Sequence, residues 1–200
     1  MKLIESDRLY FRWVEEKDIT DKYISWMNDK EINQYMETWH YPHSEENIRG
    51  FVRQHFEKRD EPFFAIMLKE HSQRAQIHNS SNPSLSASYL PSDYEKPDRH
   101  IGNIKLGPIN WIHRYADVSL FIGEKDLQGQ GYGSEAIKLI SDYALYTLNL
   151  HKICAGIYFC NYASRKAFGK AGFIPDGQRR NHVNWKGQYI DVLYYARWRD

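Results

Sequence analysis

Leu127-Gln128-Gly129-Gln130-Gly131-Tyr132-Gly133-Ser134-Glu135-Ala136 is the stretch that decides how this chain is read. The apolar run Val118 to Ile122 leads into it as a strand. Ile137, Ile140, Ala144 and Leu148 follow it at helical spacing. The motif is therefore a strand, a glycine-rich turn and a helix start. Glycines at alternate positions remove the Cβ atoms that would hold a ligand away from the backbone. The first N–H groups of a helix lack intrahelical partners, and the helix dipole favours negative charge there. The stretch is suited to a phosphate or pyrophosphate. A plain strand-to-helix turn would use the same residues, so the rest of the chain has to decide.

Two familiar phosphate loops do not fit. A Walker A loop counted from Gly129 fails because Ser134 stands where its second glycine belongs, and a dinucleotide fingerprint fails at the same residue. The pattern Gln/Arg-x-x-Gly-x-Gly/Ala does fit, on Gln128, Gly131 and Gly133.

Two hundred residues suit one domain, or one domain with a sizeable insertion, and a hydrophobic fraction of 42% is ample for a core. A net charge of +1 gives no reason to expect nucleic acid or an anionic membrane as partner. No apolar run approaches the ~18 residues of a membrane span, and Met1 to Glu5 does not read as a signal peptide. Cys154 and Cys160 fall in one expected strand, about 20 Å apart, too far to bridge each other. A reduced, cytoplasmic protein is the reading.

Leu9, Phe11 and Trp13 alternate with Arg8, Tyr10 and Arg12 as a strand. Asp18 reads as an N-cap, with Asp21 three residues on, before a helix carrying Tyr23, Trp26 and Met27. A shorter helical piece, Glu31 to Met36, precedes the aromatic, proline-broken loop Glu37 to His43, which suits the lining of a small-molecule site or a packed connection. Ser44 opens a second helix, on whose apolar face His55 reads as a packing residue. Pro62 to Leu68 is a strand. Residues 71–99, rich in Ser, Asn, Pro and Asp, are too long for an ordinary connection and read as an insertion. Ile101 to Ile112 is a strand broken at Gly107-Pro108. Lys152 to Phe159 is another. Asn161 is placed as an N-cap with Ser164 at N3, and Gly172-Phe173 as the C-terminal stop. Two last strands lie near Val183–Trp185 and Tyr189–Trp198.

Taken in order, nearly the whole chain resembles a GNAT acetyltransferase domain of the RimJ/RimL type. The signatures are Ile4-Glu5-Ser6-Asp7-Arg8-Leu9, Ile101-Gly102-Asn103-Ile104, Ile122-Gly123-Glu124 and Gln128 to Gly133, followed by Asn161-Tyr162-Ala163-Ser164, Gly172-Phe173 and Gly187 to Asp191. Residues 71–99 stand outside the pattern. The resemblance implies an α/β (α+β mixed) fold: a central, mostly antiparallel sheet with splayed middle strands and flanking helices, forming a single domain over 1–200.

It also implies acetyl-CoA as co-substrate, with no metal. Main-chain groups of Phe121, Ile122 and Gly123 would hold the pantetheine arm. The amides of Gln128, Gly129, Gln130, Gly131, Tyr132, Gly133 and Ser134 would hold the pyrophosphate. Asn161, Ser164 and Phe168 would lie along the cofactor. Many relatives have a tyrosine at the place of Phe168, proposed to protonate the leaving thiolate, and phenylalanine donates no proton. The reaction implied is direct acetyl transfer to a primary amine. Glu37, Glu124 and Asp191 are the candidate bases, with Asp117 and His182 behind them. An acyl-cysteine is not favoured, since Cys160 has no evident histidine partner. The expected acceptor is a small-molecule amine, amino sugars included, ahead of a protein N-terminus. A coenzyme A binding module without chemistry is the competing class, and a monomer or homodimer the expected assembly.

Overall fold

A computed structural model describes residues 4–56, 58–69 and 98–199. The expected insertion at 71–99 falls outside these residues except for Asp98 and Arg99. The strands are β1 (Ile4–Glu5), β2 (Leu9–Trp13), β3 (Phe63–Leu68), β4 (Arg99–Leu106), β5 (Tyr115–Ile122), β6 (Lys152–Tyr158), β7 (Ile174–Trp185) and β8 (Gln188–Trp198). Among the described residues they form one sheet in the order β1-β2-β3-β4-β5-β6-β8-β7. All pairings are antiparallel except β5 with β6. The helices are α1 (Asp21–Asn28), α2 (Lys30–Asn33), α3 (Glu45–Phe56), α4 (Tyr132–Asp142) and α5 (Tyr162–Lys170). None of the described helices is long and apolar enough to cross a membrane.

The sheet has a core on each face, and the strand sequences record it. Phe63-Phe64-Ala65-Ile66-Met67-Leu68 is apolar throughout because both faces are covered. Phe64, Ile66 and Leu68 join Ile137, Ile140 and Leu145 on the α4 side, and Phe63, Ala65 and Met67 join Tyr23, Trp26, Ile48 and Val52 under α1 and α3. In β5 only alternate residues are buried. Ala116 and Val118 face α4, whereas Tyr115, Asp117 and Ser119 are exposed. On β6, Ile153, Ala155 and Ile157 are core, and Gly156 is exposed in mid-strand. The helices α1 to α3 thus stop short, leaving that face of the sheet only partly covered from the start of β5 across β6.

Three local expectations change. Asp18 does not cap α1. Its buried carboxylate takes both guanidinium nitrogens of Arg12 and the Glu15 N–H, while Thr20 is the cap, accepting from Tyr23 N. The strand expected near Val183 begins at Ile174, because the exposed edge segment Pro175 to Asn181 carries bulges and no apolar alternation. Cys160 lies past the end of β6, and both cysteines are free. Asn161 does cap α5, its Oδ1 accepting from Ser164 N at 3.0 Å. Gly172 (φ 89°) and Phe173 close that helix, with N–H bonds to Gly169 O and Phe168 O.

Candidate active site

The parallel pairing of β5 with β6 lasts three residues, Tyr115–Asp117 against Lys152–Cys154. Beyond it β5 continues on β4 and β6 on β8, so the sheet opens between them. Backbone direction along β5 is set by β4. Asp117 O accepts from Gly107 N, and Gly123 N donates to Ile101 O. By strand alternation, Val118, Leu120 and Ile122 turn their amides and carbonyls toward the opening. Gln128 Nε2 reaches Ile122 O from that side, at 3.0 Å. The edge facing the gap therefore belongs to Leu120 and Ile122. The main-chain groups of Phe121 and Gly123 point to β4, contrary to the expectation for those two residues. The sequence shows the alternation but not which strand occupies which edge.

Two glycines keep this region close-packed. A Cβ at Gly102 would lie 2.1 Å from Phe121 O, and one at Gly123 would lie 2.1 Å from the Trp26 ring. These approaches explain the glycines of Ile101-Gly102-Asn103 and Ile122-Gly123-Glu124. Glu124, 6% exposed, pairs with Lys22 at 2.6 Å and with Arg99. Lys125 then bridges to Asp29 at 2.8 Å and Glu31 at 2.5 Å. Helices α1 and α2 therefore grip three successive residues at the exit of β5.

The loop ends on Gly131 (φ 89°), the left-handed residue before α4, and Gly129 is left-handed too (φ 78°). The first intrahelical bond runs from Glu135 N to Gly131 O, so the N–H groups of Tyr132, Gly133 and Ser134 precede the helical ladder. Gly133 has no such torsional requirement, and a Cβ there would meet only Ile122 Cγ1, at 4.0 Å. Ser6 and Arg8 hold the helix start in place. Ser6 Oγ donates to Glu135 Oε1 at 2.7 Å, Arg8 Nε donates to Glu135 Oε2 at 2.7 Å, and the guanidinium lies 4.3 Å from the centre of the Tyr132 ring. Sequence reasoning noticed Ser6 and Arg8 only as part of a motif. Their role is to fix the loop to β2.

The remaining candidates scatter. Glu37 is exposed in the turns after α2, and its charge is felt by Tyr158 at the wide end of the opening. Desolvation, then Glu37 and Cys160, push the Tyr158 hydroxyl up, so it stays protonated at neutral pH. Tyr35 meets Tyr158 edge-on at 6.3 Å and stacks on Trp185 at 5.9 Å. Asp191 is tied to its own hairpin, accepting from Gln178 Nε2 and from Asn181 N at 2.8 Å. Asp117 projects from the exposed face of β5, within the field of Lys105 and Lys152. His182 is exposed beside Arg179. Phe168 is 3% exposed and packs on Phe173 at 5.0 Å, inside the core rather than along the opening. Burial pushes the Cys154 thiol up to about 11 and raises that of Cys160, which leaves neither as a ready thiolate. Among the described residues no group of three or more His, Cys, Asp or Glu side chains could hold a metal ion.

The comparisons give this arrangement, a sheet that opens beside a glycine-rich helix start, a family. The model of the acetyltransferase (GNAT) domain matches residues 8–174, so the chain belongs to the GNAT family. It is an N-acetyltransferase, and members of this family use acetyl-CoA. The spermidine N(1)-acetyltransferase of Vibrio cholerae is 28% identical over 150 residues, 75% of this chain and 81% of that protein. The probable N-acetyltransferase YjcK of Bacillus subtilis is 38% identical over 97 residues, 47% of this chain and about half of that protein, 52%. The crystal structure of spermidine N-acetyltransferase from Vibrio cholerae in complex with CoA and spermine shares the fold, with a TM-score of 0.73 at 22% identity over 97% of each chain.

Proposed function

We propose that this protein transfers acetyl from acetyl-CoA directly to a primary amine of a small molecule, as a RimJ/RimL-type enzyme working through a ternary complex. The observation that carries the reading is the opening between β5 and β6, flanked at the exit of β5 by the unpaired first turn of α4. In this reading the pyrophosphate lies on the amides from Gly129 to Ser134. The pantetheine amides bond along the edge of Leu120 and Ile122 as a strand would, with Gln128, Asn161 and Ser164 at its sides. A backbone N–H of that edge polarises the thioester carbonyl.

Glu37 is the favoured base, because it stands two residues from Tyr35, whose ring meets Tyr158 at the wide end of the opening. Glu124 and Asp191 are committed to ion pairs and to hairpin bonds. The amine nitrogen bonds to the acetyl carbon as the carbon–sulfur bond breaks. The amine's proton passes to Glu37, directly or through water, and the thiolate takes a proton from water or from Tyr158. Two free thiols suit a reducing, cytoplasmic setting.

Thiol release from acetyl-CoA with a panel of amines tests the proposal. Amino sugars enter the panel for the aromatic residues near the opening, and polyamines enter for the spermidine acetyltransferases among the relatives. A peptide with a free N-terminus enters for a putative ribosomal N-acetyltransferase of Bacillus subtilis, 26% identical over 95 residues. Turnover on a small amine is expected. Turnover on the peptide alone would move the enzyme to protein substrates, and binding without turnover on any amine would make it a coenzyme A module.

A further inference from the structure

The departing thiolate needs a proton, and residue 168 cannot give it, because Phe168 is buried in the core on Phe173. The face of the sheet that α1 to α3 cover only in part offers a donor instead. The last pair joining β5 to β6 is Asp117 with Cys154. Gly156 is the next residue of β6 on the face of Cys154, and it is exposed in mid-strand. In the reading above the pantetheine runs along Ile122 and then Leu120, so its thioester comes level with Gly156, where the strands part. Tyr194 of β8 pairs with Gly156 and shares its face, and its neighbour on β7 is Gly177. Between these two glycines the ring leans toward β6. A Cβ at Gly156 would lie 3.7 Å from Tyr194 Cε1, whereas one at Gly177 would meet nothing within 4 Å. The hydroxyl is bonded to the atom next to Cε1. It stands beside the space that a Gly156 side chain would fill, at the edge of the opening. The guanidinium of the exposed Arg179 lies over the same ring, 5.1 Å from its centre. Tyr158 is two residues further along β6, and its ring meets Tyr35 edge-on at 6.3 Å, toward the wide end.

From this geometry we infer that Tyr194 is a catalytic residue: its hydroxyl protonates the thiolate as the carbon–sulfur bond breaks. The inference rests on the direct-transfer reading above and adds the acid to it. The lone pair of the amine forms the bond to the acetyl carbon, and the electron pair of the breaking bond goes to sulfur. The Tyr194 proton passes to that sulfur. The phenolate then takes a proton from water while Glu37 returns the amine's proton to solvent, so the protein ends as it began. The proton is water's in the end, and Tyr194 hands it on. Arg179 favours the step, because a cation over the ring stabilises the charge that the phenolate carries for that moment. A long side chain at residue 156 would stand between hydroxyl and thioester, and glycine leaves the path clear.

The test takes the best small amine of the panel and measures the single-turnover rate of acetyl transfer at saturating acetyl-CoA, in wild type, Tyr194→Phe, Tyr158→Phe and Arg179→Gln. Stabilisation by acetyl-CoA in a thermal shift reports that each variant is folded and binds its co-substrate. Tyr194→Phe keeps the ring and loses the proton. Its rate is expected to fall about tenfold, below the usual span for a general acid because a thiolate leaves readily. The KM for either substrate should not move, and the solvent deuterium isotope effect on the rate should shrink. Tyr158→Phe, which removes the rival donor, is expected to lose less. A Tyr194→Phe enzyme within twofold of the wild-type rate overturns the inference, and so does a loss confined to Tyr158→Phe. If Tyr194→Phe does not fold, Arg179→Gln decides, since an exposed side chain can be replaced without loss of the fold. A rate about threefold lower at unchanged KM then supports the acid, and an unchanged rate overturns it. Wild type that transfers acetyl to no small amine would overturn the direct-transfer reading and the acid together. Wild type that does so, beside a Tyr194→Phe enzyme of unchanged rate, would overturn the acid alone.

Discussion

The two ends of the opening between β5 and β6 are built differently. At the loop end the site is backbone: left-handed Gly129 and Gly131, the first amides of α4 and the outward edge of Leu120 and Ile122. At the hairpin end it is side chain: Tyr35, Glu37, Tyr158 and Trp185, brought from three separate segments. Backbone sites need particular residues only where a Cβ intrudes or φ is positive, so they leave a short local signature. Side-chain sites are assembled by tertiary contact. The comparison implies that changes at the loop end act on co-substrate binding and changes at the hairpin end act on rate and selectivity.

Glu37→Gln should give the largest effect on rate. Loss of a general base lowers kcat/KM by ~10²–10⁴ and removes the acidic limb of the pH profile, while the melting temperature stays put because Glu37 is exposed in a turn. A kcat/KM within tenfold of wild type would dismiss it as the base. Glu124→Gln is its counterpart. Glu124 is buried between the part-exposed Lys22 and Arg99, so the variant should lose about 1.5–3 kcal/mol of stability with kcat nearly unchanged. A large fall in kcat without a fall in melting temperature would reverse the roles of the two carboxylates.

His100 adds a pH signature to the α1 face. Burial beside Tyr23 and Trp26, with Arg12 and Lys22 opposing protonation and Asp18 favouring it, pushes its value down to about 4 from 6.5. Between these values the unfolded chain binds a proton that the native protein does not, so stability rises with pH across this window. Lowering the pH from 6.5 to 4 should cost roughly 2 kcal/mol more in wild type than in His100→Gln, as read by denaturant unfolding. Parallel pH profiles for the two proteins would show that the ring is not desolvated. Phe168→Tyr should give the smallest effect. A hydroxyl placed in the core against Phe173 costs about 1 kcal/mol if it finds no partner, and kcat should not rise. A gain in kcat would mean that residue 168 faces the thioester after all.

The loop end was legible in the sequence because Gly129, Gly131 and Gly133 alternate within ten residues, between a strand and a helix. Asn161 and Gly172-Phe173 were legible because caps depend on near neighbours. The reasons behind other motifs were not. Gly123 is glycine because Trp26 covers it, and Ser6 and Arg8 matter because Glu135 answers them from 127 to 129 residues away. Asp18 looked like a helix cap because the sequence could not show that Arg12 claims its carboxylate. The start of β7 was missed because an exposed, bulged edge strand has no apolar alternation to read. The contact of Tyr35 with Trp185 spans most of the chain, and no local pattern encodes it.

Calorimetric titration of coenzyme A into wild type, Gly133→Val and Gly50→Val decides whether the pyrophosphate lies on the first turn of α4. Gly133 has an ordinary φ and a Cβ there would meet only Ile122 Cγ1, at 4.0 Å, so valine there disturbs the ligand's approach rather than the fold. Gly50 on α3 has open space at its Cβ position and lies away from the opening. The account predicts micromolar-range binding by wild type and by Gly50→Val, on the order of −8 kcal/mol, and at least tenfold weaker binding by a folded Gly133→Val. Equal affinity in all three would contradict the placement of the pyrophosphate on the first turn of α4.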